Sequence, residues 1–180
     1  MMQQIMKNVL RFFVVTLVLS VTSISSMAQV YPPEDCPKLE FVMQLRVLID
    51  QPYSVGDTPH GHRVVVPITG GTFDGPQIKG TVLAGGADYQ LVNGNGKRTE
   101  LEAIYSICTD DSICIHVRNR GIIVNDNDAS GGLTHYFMTA PQFEAPQSSR
   151  YSWLNDAIFV CRPEGLKGFN GIVLNVWRVM

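Results

Sequence analysis

Short segments rich in β-branched and aromatic residues recur along this chain, and glycine-containing turns separate them. This spacing constrains the fold most, because short apolar runs bounded by Gly or Pro suit strands better than helices. The sixteen glycines and ten prolines point the same way, since both residues destabilise helix interiors. The pattern predicts one all-β domain, an antiparallel β-barrel of about eight to ten strands. The predicted strands are 41–49, 63–68, 78–83, 87–92, 99–109, 113–119, 135–139, 153–160 and 172–179.

Composition narrows the classes of partner. With 45% hydrophobic and 17% charged residues, the chain has enough apolar material for one core. The net charge of −2 gives no basic footprint, so we expect no nucleic-acid partner. A small apolar or aromatic molecule is the expected partner, and the formation of a homo-oligomer stays open.

The amino terminus has the layout of an export signal. Lys7 and Arg11 precede an apolar stretch at 12–24, and small residues then lead to Ala28. The alternative is a membrane anchor, but the stretch is short for a hydrocarbon core roughly 30 Å thick. We therefore expect a signal peptide at 1–28, an extended arm at 29–38 and a barrel domain at 39–180. The mature protein would be periplasmic or secreted, without a stable membrane span.

Export would place the four cysteines in a compartment where disulfide bonds persist. Cys108 and Cys114 flank the turn 109–112, so their thiols are predicted to face each other on neighbouring strands. Pairing these two leaves Cys36 with Cys161. Zinc binding and four free thiols are the alternatives, but no Cys-x-x-Cys spacing supports zinc, and no metal site is expected.

The hairpin around this turn predicts which side chains face the barrel interior. If the two cysteines are opposite each other, antiparallel pairing places Tyr105 and Asn119 on the apolar face. The same pairing places Glu102 opposite Arg120 on the solvent face. Two polar side chains inside a barrel need hydrogen-bond partners or a ligand.

Alternation in other strands gives further expectations. With Asp156 outside, Trp153 and Asn155 point inward, and Thr139 points inward together with Phe137. In the segment 87–92, alternation alone would bury Tyr89 rather than its polar neighbours.

Six motifs are spread along the chain, at Pro67–Pro76, Gly85–Gln90, Thr109–Asp111, Asn119–Gly121, Pro141–Glu144 and Trp153–Asn155. Together they resemble one family, the domain of unknown function 3237. The resemblance spans about residues 39–179, and it implies a single-domain barrel of the calycin or allene-oxide-cyclase type with no established activity. It also implies that an acid and an amide, at Asp88 and Gln90, face inward.

Two functional classes follow for the expected pocket. The first is a binding barrel in which Gln90, Thr139, Phe143, Trp153 and Asn155 contact the ligand. The second is a cofactor-free isomerase, cyclase or lyase in which Asp88 transfers a proton while Tyr105 and Asn119 stabilise a developing negative charge.

Simpler interpretations accompany both classes. Asp88 could be only a turn acceptor, the aromatic side chains could be core, and a purely structural exported protein ranks third. The loop histidines His60 and His62 lack a third metal ligand. No Ser/His/Asp order, phosphate loop or dinucleotide motif indicates a known enzyme class, and no cofactor is expected.

Overall fold

The computed structural model describes residues 36–93, 96–127, 133–165, 168 and 170–180. The predicted signal peptide at 1–28 lies outside these residues, as does the predicted arm up to residue 35. The barrel described below lies within one compact unit, Pro37–Met180.

Ten strands and one short 3-10 helix make up the described fold, which confirms the all-β prediction. None of the described segments is a helix long and apolar enough to cross a membrane. The 3-10 helix is Ser152–Asp156. The strands are β1 Leu39–Ile49, β2 Tyr53–Thr58, β3 Gly61–Asp74, β4 Lys79–Val82, β5 Ala87–Asn93, β6 Arg98–Thr109, β7 Cys114–Asn127, β8 Leu133–Glu144, β9 Phe159–Gly165 and β10 Gly171–Val179.

The sheet closes on itself as an antiparallel barrel of eight strand positions. Its order runs β1, β10, β9, β8, β7, β6, and β6 then pairs with both β4 and β5. These two short strands pair with different parts of β3, and β3 completes the circle by pairing with β1. The remaining strand, β2, forms a hairpin with the first half of β3.

The β6–β7 hairpin has the predicted register. Cys108 is opposite Cys114 and Tyr105 is opposite Val117 in the ladder. The turn is also the predicted one, because the Ser112 amide donates to the Thr109 carbonyl at 2.8 Å. Ser112 itself has a left-handed backbone with φ 63°, which leads the chain back into β7.

The solvent face of this hairpin carries the expected ion pair between Glu102 and Arg120, and Arg118 also pairs with Glu102. Arg120 Nε donates to Glu102 Oε1 at 2.9 Å, and Arg118 Nε donates to the same oxygen at 2.8 Å. The two guanidinium groups hold the pKa of Glu102 below its ordinary value. Glu102 therefore lies outside the barrel, as predicted.

Two features of the fold differ from the prediction. The segment 153–160 was expected to be one strand, but its first part is the 3-10 helix and β9 begins only at Phe159. β2 was not expected at all, because its sequence YSVGDT has little apolar alternation and contains a glycine. Pairing with β3 stabilises this strand instead.

The structure does not show the two predicted disulfide bonds. Cys161 is a thiol that is completely buried in the barrel, and its pairing with Cys36 stays a prediction. Cys108 and Cys114 face each other as predicted, but their sulfur atoms are 3.1 Å apart as two thiols in contact.

The interior of the barrel divides along its axis into a packed half and an open half. The packed half lies where β1 and β8 carry Met43 and Phe143, and the 3-10 helix adds Leu154 to it. The largest fully buried side chains of the whole barrel are Met43, Leu45, Ile107, Ile115, Val117, Leu154, Phe159, Cys161 and Val176.

Candidate functional site

The open half of the barrel contains a cavity of about 310 Å³. Its wall is mostly apolar, and five polar side chains interrupt it. Three of them, Asp88, Tyr105 and Asn119, were predicted as catalytic, and the other two, Gln90 and Thr139, as ligand contacts. The apolar wall comprises Val47, Ile49, Pro52, Val64, Val66, Ile68, Leu101, Ala103, Ile123, Phe137, Pro163, Ile172 and Leu174.

Asp88 and Gln90 enter the cavity from β5. Their orientation is the one implied by the family resemblance, while Tyr89 between them is 41% exposed. Alternation alone would have reversed this arrangement. Strand pairing decides the orientation, because Asp88 is opposite Ala103 of β6 and Val66 of β3, and both of these residues line the cavity.

The β5–β6 ladder is interrupted between Asp88 and Leu91, although its register does not change, and the carboxyl group of Asp88 fills this gap. Its Oδ1 accepts the backbone N–H of Glu102 at 3.0 Å, and its Oδ2 accepts the amide of Gln90 at 2.8 Å. Asp88 is therefore a side chain of the cavity wall that accepts a backbone hydrogen bond from the neighbouring strand, and not the turn acceptor of the simpler interpretation.

Burial raises the pKa of Asp88 above its ordinary 3.8, and the negative charge of Glu102 adds to this effect. The hydrogen bonds from Gln90 and from the Glu102 amide oppose it, because they stabilise the charged form. A buried carboxyl group with a raised pKa can hold and release a proton inside an otherwise apolar cavity.

Tyr105 forms part of the cavity wall from β6 and is only 4% exposed. Burial raises the pKa of its hydroxyl group, and negative charge on Cys161 or Asp88 would raise it further. The β6 backbone at Tyr105 passes close to Gly86, where an added Cβ would lie 2.5 Å from the Tyr105 Cβ. The lack of a side chain at Gly86 therefore allows this close approach. The phenol is neutral at ordinary pH.

Asn119 and Thr139 supply the two least satisfied polar atoms of the site. Asn119 Oδ1 and Thr139 Oγ1 are buried, and neither has a hydrogen-bond partner among the described residues. Thr139 packs over Gly121, where any side chain would overlap its methyl group, and is opposite Cys161 in the ladder. Burial raises the pKa of the Cys161 thiol to about 12 against a smaller, opposite effect of the Thr139 hydroxyl, so this sulfur is uncharged beside the cavity.

The other three predicted contacts do not reach this cavity. Phe143 packs edge-on against Phe159 in the packed half, with ring centroids 5.0 Å apart. Trp153 packs against the same Phe159 from the 3-10 helix, and Asn155 bonds to both the N–H and the carbonyl of Ala145. The strand alternation used for Trp153 and Asn155 fails because that segment is helical.

Sequence reasoning also missed part of the apolar wall. Pro52, just before β2, and Pro163, within β9, line the cavity, but prolines are usually assigned to turns or edge strands, so no pattern indicated them. Ala103 follows from the hairpin register, because it is opposite Asn119.

A larger depression of about 570 Å³ lies on the outer face, beside the interruption of the β5–β6 ladder. Its arginines are already engaged, since Arg63 donates to the Tyr89 carbonyl and Arg120 pairs with Glu102. Arg98 lies 3.6 Å from Glu100. This open, internally paired surface is a weaker candidate than the enclosed cavity.

The fold and the cavity together define a small antiparallel β-barrel protein with an internal pocket. The chain belongs to the family described as "Protein of unknown function (DUF3237)", which matches residues 37–179. A UPF0311 protein of Clostridium acetobutylicum is 36% identical over 132 residues, which are 68% of this chain and 82% of that protein.

Two solved structures show the same fold. A "beta-barrel like protein" of Acinetobacter baumannii superposes with a TM-score of 0.72 and 29% identity, covering 84% of this chain and all of that one. A protein of Penicillium herquei, described as an enzyme, has a TM-score of 0.62 and 25% identity, covering 80% of this chain and 95% of that one.

Proposed function

We propose that this protein binds a small, mostly apolar molecule inside the open half of the barrel. The observation that carries the proposal is the pair of unpartnered oxygens on Asn119 and Thr139. A buried polar atom without a hydrogen bond costs stability, so a ligand that donates to it gains affinity there. The molecule that fits has an apolar body and a hydroxyl or amine group at its inner end.

The cavity limits the size of this molecule. A volume of about 310 Å³ lies at the lower end of the range for small-molecule pockets, which suits about one or two rings. The apolar wall would bury the body of the ligand, while Asn119, Thr139 and Asp88 would orient its polar end.

The test is to fill the cavity from β6. Ala103→Phe places a ring inside the cavity, whereas Ile104→Phe, one residue further along, adds the same kind of ring to the outer face. Binding of 4-methylphenol would be followed through chemical shifts of Val, Leu and Ile methyl groups. We expect cavity methyl groups to shift in the wild type and in Ile104→Phe but not in Ala103→Phe. Equal binding by all three proteins would refute the pocket.

A second candidate function is proton-transfer catalysis in the same cavity, as in a cofactor-free isomerase, cyclase or lyase. Asp88 favours it, because its carboxyl group faces the cavity and has a raised pKa. The Penicillium herquei protein, described as an enzyme, gives further support at 25% identity. Tyr105 and Asn119 would stabilise the negative charge that develops on the substrate.

Asp88→Asn separates binding from catalysis. The asparagine keeps an acceptor for the Glu102 amide but loses the titratable proton, so catalysis predicts retained binding with turnover lowered by about 10²-fold or more. Gln90→Glu is the control for a change in cavity charge, because it places a carboxyl group on the side chain next to Asp88 and leaves Asp88 itself unchanged. Turnover that survives in Asp88→Asn would exclude Asp88 as the acid or base.

We further propose that the protein is exported after cleavage behind Ala28, and that Cys108 and Cys114 are oxidised to a disulfide bond outside the cytoplasm. The amino-terminal pattern supports the first step, and the 3.1 Å contact between the two sulfur atoms supports the second. Cell fractionation followed by amino-terminal sequencing tests the cleavage. A full-length cytoplasmic product would contradict it.

A further inference from the structure

The β2–β3 hairpin carries a Ser–His–Asp chain of hydrogen bonds. Ser54 Oγ lies 2.9 Å from Nε2 of His62, and Asp57 Oδ1 lies 2.8 Å from Nδ1 of the same ring. A carboxylate can only accept, so Nδ1 carries a proton and donates to Asp57, which leaves Nε2 as the ring atom that can accept the Ser54 hydroxyl. The Gly56 amide donates to Ser54 Oγ at 3.1 Å, which helps to direct that hydroxyl toward the ring.

Strand register places this chain at the mouth of the cavity. His62 lies on the same face of β3 as the cavity residues Val64 and Val66, because side chains alternate along a strand. Ser54 is opposite Val64 and Asp57 is opposite His62, so all three polar side chains lie on that face of the hairpin, beyond the cavity wall. His62 is four residues along β3 from Val66, the ladder partner of Asp88, a separation of roughly 13 Å.

We propose that Ser54 is a nucleophile and His62 its general base, and that together they hydrolyse an ester held at the mouth of the barrel. The substrate is a small ester with an apolar group that enters the cavity, and in this respect the inference rests on the proposed binding function. The order of the two ring nitrogens is the one that such a triad requires.

The chemistry balances with water as the second reactant. Ser54 Oγ attacks the carbonyl carbon while His62 Nε2 takes its proton, and the same proton then leaves with the alcohol. The acyl group stays on Ser54 as an ester. Water attacks that ester, His62 takes the water proton and returns it to Ser54, and the carboxylic acid departs.

Exposure decides how much each residue contributes. The side chain of Asp57 is 93% exposed and that of His62 is 42% exposed, so water screens the charge of Asp57. Asp57 is therefore a positioning residue that holds the ring tautomer. We expect Asp57→Asn to lower kcat/KM at most about fivefold and to alter the pH profile, whereas removal of Ser54 removes the nucleophile.

The test uses 4-nitrophenyl butanoate as substrate and a fluorophosphonate as a covalent probe of the purified protein. We expect Ser54→Ala and His62→Gln to lower kcat/KM by about tenfold or more. Intact-mass and peptide analysis should find the phosphonyl adduct on Ser54 in the wild type but not in His62→Gln. The matched control is His116→Gln, an exposed histidine of β7, which should behave as the wild type.

Two outcomes overturn the inference: hydrolysis by Ser54→Ala at the wild-type rate, or a probe adduct that does not involve Ser54. In either case the three side chains only stabilise the hairpin. Ala103→Phe keeps the two proposals distinguishable. If Ala103→Phe raises KM while Ser54 is labelled as in the wild type, the result supports both the triad and the binding cavity. If Ser54 is labelled and KM does not change, the result supports the triad but shows that the cavity is not its substrate site.

Discussion

At the residue scale, the atoms that weaken this fold are the ones that define its pocket. Asn119 and Thr139 are 4% and 7% exposed, yet one oxygen of each has no partner among the described residues. Such atoms are rare in folded proteins because their desolvation is not compensated. Their presence on the wall of a cavity is the physical argument that the cavity is a site and not a packing defect.

Replacement of Thr139 by valine tests this argument. Valine has nearly the same shape but no hydroxyl group, so Thr139→Val should raise the free energy of unfolding by about 1 kcal/mol and weaken binding of 4-methylphenol. Thr109→Val is the matched control, since its buried hydroxyl bonds to both the N–H and the carbonyl of Ile113. Urea denaturation should show that variant to be less stable by about 1 kcal/mol. Destabilisation of both variants would mean that the Thr139 hydroxyl is satisfied.

Asp88 predicts a pH-dependent contribution to stability. Its pKa is raised in the folded protein, so below its ordinary value of 3.8 the group is protonated in both states and burial carries no electrostatic penalty. As the pH rises toward the higher folded pKa, the unfolded chain ionises first and stability is lost. Above the folded pKa the loss is constant.

The measurement for Asp88 is urea denaturation of the wild type and Asp88→Asn at a series of pH values. We expect the stability of the wild type relative to the variant to fall as the pH rises from about 3.8 through the folded pKa. A relative stability that increases over the same range would show that the hydrogen bonds from Gln90 and Glu102 outweigh burial.

At the scale of strands and turns, the β6–β7 hairpin shows what could be read from the sequence. Its register followed from one turn and two facing cysteines, and it placed Tyr105 and Asn119 correctly. The apolar pattern of β5 could not place Asp88, because the apolar Tyr89 and Leu91 line the outer depression while Asp88 lines the cavity. Only the family resemblance carried that information.

Two other elements could not be predicted for a different reason. The segment from Ser152 to Asp156 alternates like a strand, but it folds as a 3-10 helix whose Leu154 is buried in the packed half of the barrel. The Ser54–His62–Asp57 chain depends on the pairing of β2, a strand with no apolar pattern. In both cases tertiary contacts, and not the local sequence, determined the secondary structure.

The same hairpin makes a redox prediction. Cys108 and Cys114 are opposite each other, and the next pair outward, Thr109 and Ile113, is hydrogen-bonded, so the cysteines occupy a closely spaced non-hydrogen-bonded position. Oxidation should therefore lower the intact mass by about 2 Da and stabilise the protein by about 2 kcal/mol. Peptide mapping and denaturation with and without reductant measure both effects, and Cys114→Ser should abolish the difference. A crosslink involving Cys161 would contradict the predicted pair.

At the scale of the whole molecule, the barrel combines a packed half that supports the fold with an open half that holds the pocket. Phe143, Phe159 and Leu154 fill the first half, and no comparable aromatic cluster fills the second among the described residues. The polar side chains in the open half come from β5, β6, β7 and β8, so barrel closure is what brings them together. Substitutions within the cavity should therefore alter binding more than folding.

The central claim is that a ligand donates a hydrogen bond to the unpartnered oxygens within the barrel. The most direct measurement is a crystal structure of the protein soaked with 4-methylphenol. We expect the ring inside the cavity, with its hydroxyl oxygen about 2.5–3.0 Å from Asn119 Oδ1 or Thr139 Oγ1. A structure in which ordered water satisfies both oxygens, and the phenol occupies only the outer depression beside Tyr89, would contradict the claim.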